Sequence, residues 1–191
     1  LGIRDPNLPL GYRWISYGEI GKRVFSFVRG AKQILEKQKD HTIVRRNVLI
    51  IGELTEHYVV SLLGCLLLGT ILVPIDGSID RLGIQHIMDR SEPSLCVISE
   101  RYLQKFVEHI PKDLPIIVIP STEPHPALNR EMLYYENLLS VGATLIDEDG
   151  SSSISIQKSD KDALVAILFT SGSSGYPKGA AYTEKLAILP I

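Results

Sequence analysis

The chain has 191 residues, 45% of them hydrophobic and 22% charged, with a formal net charge of −2. That length suits one domain, or one domain with part of a second. The near-neutral balance, with no Lys/Arg run along one face, leaves no electrostatic footprint for nucleic acid.

The chain opens at Leu1 without a methionine and without a signal-peptide pattern, so it reads as an internal piece of a longer protein. Ser16 followed by Glu19 forms a capping box, and Ile15 can staple onto Ile20 across it. From there Ile20, Val24, Phe27, Val28, Ala31 and Leu35 recur at helical spacing and predict one apolar stripe on a helix of about five turns. Lys22, Arg23, Arg29, Lys32 and Glu36 fill most of the remaining surface as a solvated face. After the loop "KDHTIVRRN", the run "VLIIG" is short, apolar and β-branched, as a strand buried on both faces should be.

Residues 58–75, "YVVSLLGCLLLGTILVPI", carry no charge and reach about the minimum length of a membrane span. Gly64, Gly69, Thr70 and Pro74 punctuate that run, and β-branched residues gather after Gly69. A buried helix from about Glu56 to Leu68, closing at Gly69 and followed by the strand "TILVP", accounts for the same residues better. Next come a helix (Arg81–Arg90), a strand "LCVIS", a helix (Tyr102–His109), a strand "PIIVI" and a helix around Glu131–Val141. This alternation predicts an α/β fold, a largely parallel sheet flanked by helices, with ligands beyond the carboxyl ends of its strands. Cys65 and Cys96 stand singly inside apolar runs and read as small buried hydrophobes. His41, His57, His86, His109 and His125 share no ligand-like spacing, so no metal site is expected.

Residues 147–162 are polar and Ser-rich and read as an exposed connector. The expected division is a first α/β subdomain over 1–146, the connector, and residues 163–191 opening a second subdomain. The run "ALVAILF" predicts another buried strand, and it leads directly into "TSGSSGYPKG". Gly172 and Gly175 permit positive φ, so that backbone N–H groups can turn around an anion. Thr170, Ser171, Ser173 and Ser174 add hydroxyl donors without bulk, Pro177 stiffens the exit, and Lys178 brings a full positive charge. Charge-assisted contacts of this kind are worth about 1.5–3 kcal/mol each, and together they suit a polyphosphate. The spacing excludes a Walker loop, a dinucleotide G-x-G-x-x-G and a hydrolase G-x-S-x-G elbow. A flexible Ser/Gly linker is disfavoured by the apolar strand before it and the rigid Pro-Lys-Gly within it.

"LFTSGSSGYPKGA" resembles the phosphate-binding signature of the adenylate-forming superfamily, roughly [YF]-T-S-G-[ST]-T-G-x-P-K-G-V. Upstream, "RWISYGEI" is similar to the family's W-x-[ST]-Y-x-E-[IV] opening, and Gly69, Val73, Pro74 and Asp76 fit its G-x-x-x-V-P-[IL]-[DY] segment. "LGIRDPNLPLGYRWISYGEI" is most similar to the long-chain fatty acid–CoA ligases. The resemblance implies part of the amino-terminal domain of an enzyme that joins a fatty acid to ATP as an acyl-adenylate and then to coenzyme A, using Mg2+. It implies that Thr170, Ser171, Gly172, Ser173, Ser174, Gly175 and Lys178 hold ATP phosphates, with Pro177 and Gly179 shaping the loop. The adenine, ribose and catalytic-lysine segments of the family would lie beyond residue 191, so this chain alone would be inactive. A cytoplasmic location is implied, with peripheral membrane association of the kind long-chain members show at the endoplasmic reticulum.

Three departures stand out: Ser174 for Thr, Ala180 for Val, and Glu184 where the family often has His. A carboxylate at Glu184 near a polyphosphate would repel it. That departure supports the alternative reading, a non-catalytic nucleotide-binding or interaction protein of the same fold.

Overall fold

The computed structural model describes residues 1–4, 7–9, 11–38, 46–121, 132–145, 160–170 and 175–185. Strands β1 (Gly2–Arg4) and β2 (Tyr12–Trp14) form a short antiparallel ribbon ahead of helix α1 (Tyr17–Glu36). Then β3 (Asn47–Ile51), α2 (Glu56–Leu67), β4 (Ile71–Ile75), α3 (Arg81–Ser91), β5 (Leu95–Ser99), α4 (Glu100–Phe106) and β6 (Ile116–Ile119) alternate. The chain continues through β7 (Leu133–Tyr134), α5 (Tyr135–Thr144), β8 (Leu164–Thr170) and β9 (Lys178–Thr183). The described residues form a seven-stranded sheet in the order β7-β6-β5-β3-β4-β8-β9, parallel at every pairing except β8 with β9.

Alternation along the central strands divides the interior into two cores. Val48 and Ile50 of β3 join a cluster with Phe27 of α1, Val60 of α2 and Leu138 of α5. Leu49 and Ile51 turn the other way, toward Ile84 of α3 and Leu103 of α4. The sheet is therefore doubly wound. Beyond neighbouring β3 and β5 the chain leaves to opposite faces, the arrangement that in open α/β sheets places ligands beyond the carboxyl ends of the strands. Burying each aliphatic side chain in these cores contributes about 1.5–3 kcal/mol.

The helix ends follow the local sequence. Ser16 caps α1, its side-chain oxygen accepting from the Glu19 N–H at 3.1 Å, and Ile15 and Ile20 share a core below it. At the end of α2, Gly69 adopts a φ of +71°, the Thr70 N–H donates to the Cys65 carbonyl, and the Gly69 N–H donates to the Leu66 carbonyl. Those paired bonds are a Schellman closure, which is why the uncharged stretch breaks into a helix and a strand. No described helix is long and apolar enough to cross a membrane. Both cysteines are buried, and burial pushes the Cys65 thiol up to about 12.

The structure departs from several expectations. Helix α4 begins at Glu100 and ends at Phe106, earlier than Tyr102–His109, because Ser99 hands the chain directly from β5 to the helix. Residues 133–134, expected as helix, pair with β6 as β7, and α5 starts only at Tyr135. Strand β8 is half-buried rather than buried, since the adjoining β9 is largely exposed at the sheet's edge. Arg23 is not simply solvated: its Nη1 donates to Glu56 Oε1 at 3.1 Å, while Arg13 Nη2 donates to Glu56 Oε2 at 2.8 Å. One nearly buried carboxylate thus ties β2, α1 and the first turn of α2 together. Most of the expected connector, its residues 147–159, lies outside the described residues.

Candidate phosphate-binding site

Strand β8 runs parallel to β4, which carries Thr170 to the same sheet edge as the carboxyl ends of β3, β4 and β5. Side chains of β8 alternate between the two cores, Ala166 toward the first and Ile167 and Phe169 toward the second. The chain then returns as β9, pairing antiparallel with Thr170 opposite Lys178 and Phe169 opposite Gly179. Both Thr170 and Lys178 are exposed at the mouth of this hairpin, and the Thr170 hydroxyl donates to the Lys178 carbonyl at 3.5 Å, the outer limit of a hydrogen bond. Gly175 has a φ of +93°, the left-handed conformation that its lack of Cβ permits, and half-buried Pro177 sets the approach to β9.

Of the residues singled out from the sequence, Thr170, Gly175, Pro177, Lys178 and Gly179 come together at this mouth. Ser171, Gly172, Ser173 and Ser174 lie outside the described residues. Glu184 corrects an expectation. It sits at the opposite end of β9, where its N–H donates to the Ala163 carbonyl and its Oε2 accepts from the Asp160 N–H at 3.1 Å. Six residues of β9 carry it about 20 Å from Lys178, because a strand rises about 3.3 Å per residue. The antiparallel return, for which the sequence carries little signal, removes the repulsion.

The structure adds neighbours from α3. Tyr176 stacks on His86 with ring centroids 5.1 Å apart. A cavity of about 480 Å3 opens between α3 and the hairpin, and Lys178 contributes to its wall with Arg90. Histidine spacing offered no reason to choose His86. The available signal was the four-residue interval from His86 to Arg90, which puts both on one side of a helix.

Along the same sheet edge, Asp76 closes the turn after β4. Its Oδ1 accepts from the Ser78 N–H at 2.7 Å, and the Ser78 hydrogen bonds, with Lys105 as a lesser influence, hold this exposed carboxyl below its ordinary range. Lys105 Nζ donates to the Gly77 carbonyl at 2.7 Å, binding the turn to α4. Among the described residues no group of three His, Cys, Asp or Glu side chains could hold a metal ion.

Residues 4–188 match the family described as AMP-binding enzymes. Long chain acyl-CoA synthetase 8 of Arabidopsis thaliana is 22% identical over 187 residues, covering 96% of this chain and 25% of that protein. The fatty acid–[acyl-carrier-protein] ligase ScoC of Streptomyces coeruleorubidus is 27% identical over 138 residues, covering 72% of this chain and 23% of its own length. Among solved structures, the adenylation domain of a carboxylate reductase from Mycobacterium chelonae superposes with a TM-score of 0.74 at 18% identity, over 98% of this chain and 31% of that one. An anthranilate CoA ligase in complex with anthranoyl-AMP gives 0.72 at 15% identity, over 91% of this chain and 30% of that one. At such identities the structural matches speak for the fold. The chain spans about a quarter of the length of these curated relatives.

Proposed function

Because the chain belongs to the AMP-binding enzyme family, we propose that it supplies the phosphate-holding part of an ATP-dependent ligase that activates a fatty acid for transfer to coenzyme A. A carboxylate oxygen of the acid attacks the α-phosphorus of ATP, the bond to the β-phosphate oxygen breaks, and pyrophosphate leaves. The thiol sulfur of coenzyme A then attacks the acyl carbon, its proton is lost, and AMP departs with the bonding pair. The observation that carries this reading is the hairpin mouth, which sets the Lys178 cation beside Thr170 at the carboxyl edge of a doubly wound sheet.

The chemistry asks the protein for position and charge rather than for a covalent partner. Lys178 would neutralise the outgoing phosphates, while Thr170 and the hydroxyls of Ser171, Ser173 and Ser174 would donate to their oxygens. Gly172 and Gly175 would let the backbone approach, with Pro177 and Gly179 keeping the loop in shape. Mg2+, entering on the triphosphate, would offset the charge that develops on the departing pyrophosphate. The long-chain acid is the finer part of the proposal and rests on the likeness to the plant acyl-CoA synthetase. The non-catalytic alternative loses its argument from Glu184, which stands at the far end of β9 from Lys178.

The test is fatty-acid-dependent exchange between ATP and labelled pyrophosphate in the protein that carries this chain. Lys178→Ala is expected to slow exchange by about tenfold to a hundredfold, the value of one charge-assisted contact. Exchange within about twofold of the parent would remove Lys178 from the phosphate site.

A further inference from the structure

The cavity between α3 and the β8–β9 hairpin combines two kinds of wall. Ile167 and Phe169 provide an apolar floor, and Tyr176 adds an aromatic ring that rests on His86. Arg90 reaches it from α3 and Lys178 from β9, and neither side chain has a carboxylate partner among the described residues. Charge is segregated around α3. Asp89, next to Arg90 in sequence, accepts from Gln85 Nε2 at 2.9 Å and lines a separate cleft on another side of the helix. The acid that could quench Arg90 is therefore turned away from this cavity. Its volume, about 480 Å3, falls within the roughly 300–1,000 Å3 of small-molecule pockets.

We propose that this cavity binds a small organic phosphate. The phosphate would lie between the Arg90 guanidinium, which can bind two oxygens at once, and the Lys178 ammonium. An aromatic or aliphatic body would cover Phe169 and Ile167 under the edge of Tyr176. Two cations from separate elements match a dianion better than a monoanionic carboxylate, and the apolar floor favours a phosphate ester over the inorganic ion. Lys178 also belongs to the proposed ATP loop, so an occupant here would compete with ATP for that side chain. This competition rests on the proposed function, whereas the binding itself does not.

The experiment titrates the protein with phenyl phosphate and, separately, with inorganic phosphate, following binding by calorimetry and the His86 and Tyr176 ring signals by NMR. Phenyl phosphate is expected to bind saturably, to shift both rings, and to exceed inorganic phosphate in affinity by about tenfold, a modest return for one aromatic ring covering apolar surface. Arg90→Ala should weaken phenyl phosphate by about tenfold, with partial recovery in Arg90→Lys, since the lysine keeps the charge but not the two-pronged geometry. Tyr176→Ala should weaken phenyl phosphate and leave inorganic phosphate unchanged. Phenyl phosphate that binds equally well to Arg90→Ala, or no better than inorganic phosphate to the parent protein, would overturn the proposal. ATP binding separates the two claims. Arg90→Ala should leave it intact and Lys178→Ala should weaken it; ATP indifferent to Lys178→Ala would defeat the proposed function while the Arg90 result still decides this cavity.

Discussion

Strands β3 and β8 are alike as sequence and unlike as structure. "NVLII" and "LVAILFT" are both short, apolar and rich in β-branched residues. In β3, residues Val48 to Ile51 have no exposed surface, because β4 and β5 flank the strand and helices cover both faces. No residue of β8 is fully buried, since one of its neighbours is the exposed edge strand β9. The difference shows that burial belongs to a strand's neighbours as much as to its own residues. It also locates function, for the candidate site lies on the less covered strands while the buried ones hold them in place.

The contrast is tested most severely by matched truncations. Ile50→Ala removes packing from a closed core and should cost about 2–5 kcal/mol in denaturant unfolding. Ile167→Ala in the half-buried strand should cost less than half as much, and equal losses would erase the distinction between the two regions. A smaller effect is expected where charge rather than packing binds the layers. Glu56→Gln leaves Arg13 without its carboxylate and Arg23 with Glu19 alone, at about 1–2 kcal/mol, because the arginines are partly solvated. No change in the unfolding midpoint would mean that the three elements are held by packing alone.

The smallest expected effect is a slope with pH. Burial holds the His57 pKa below its ordinary value despite Glu56 and Glu136 beside it, so the folded protein binds a proton there less readily than the unfolded chain. That contribution is fully present above the unfolded pKa of about 6.5 and is lost as pH falls through the lower folded value. His57→Asn should flatten stability across that window. An undiminished slope in the variant would assign the pH dependence to other groups.

Much of this architecture was legible in the sequence. Ser16 and Gly69 mark helix ends by local chemistry, a side-chain cap and a left-handed closure, which need no distant partner. The runs that became β3, β4, β5 and β6 are apolar enough to announce burial on both faces. Strand β9 was invisible because "KGAAYT" carries little hydrophobic signal; it is a strand because β8 offers it a ladder of hydrogen bonds. The same return sets Glu184 apart from Lys178, since closeness in sequence says nothing about direction once the chain reverses.

The sequence by itself determined the alternation of strands and helices, the two helix closures and the glycine-rich loop with its lysine, because each depends on residues a few positions apart. Tertiary structure decided the rest: which strands are covered, where Glu184 points, and that His86 and Arg90 stand beside Tyr176 and Lys178. The last of these relations joins residues about ninety positions apart, which meet only because α3 and the hairpin line one cavity.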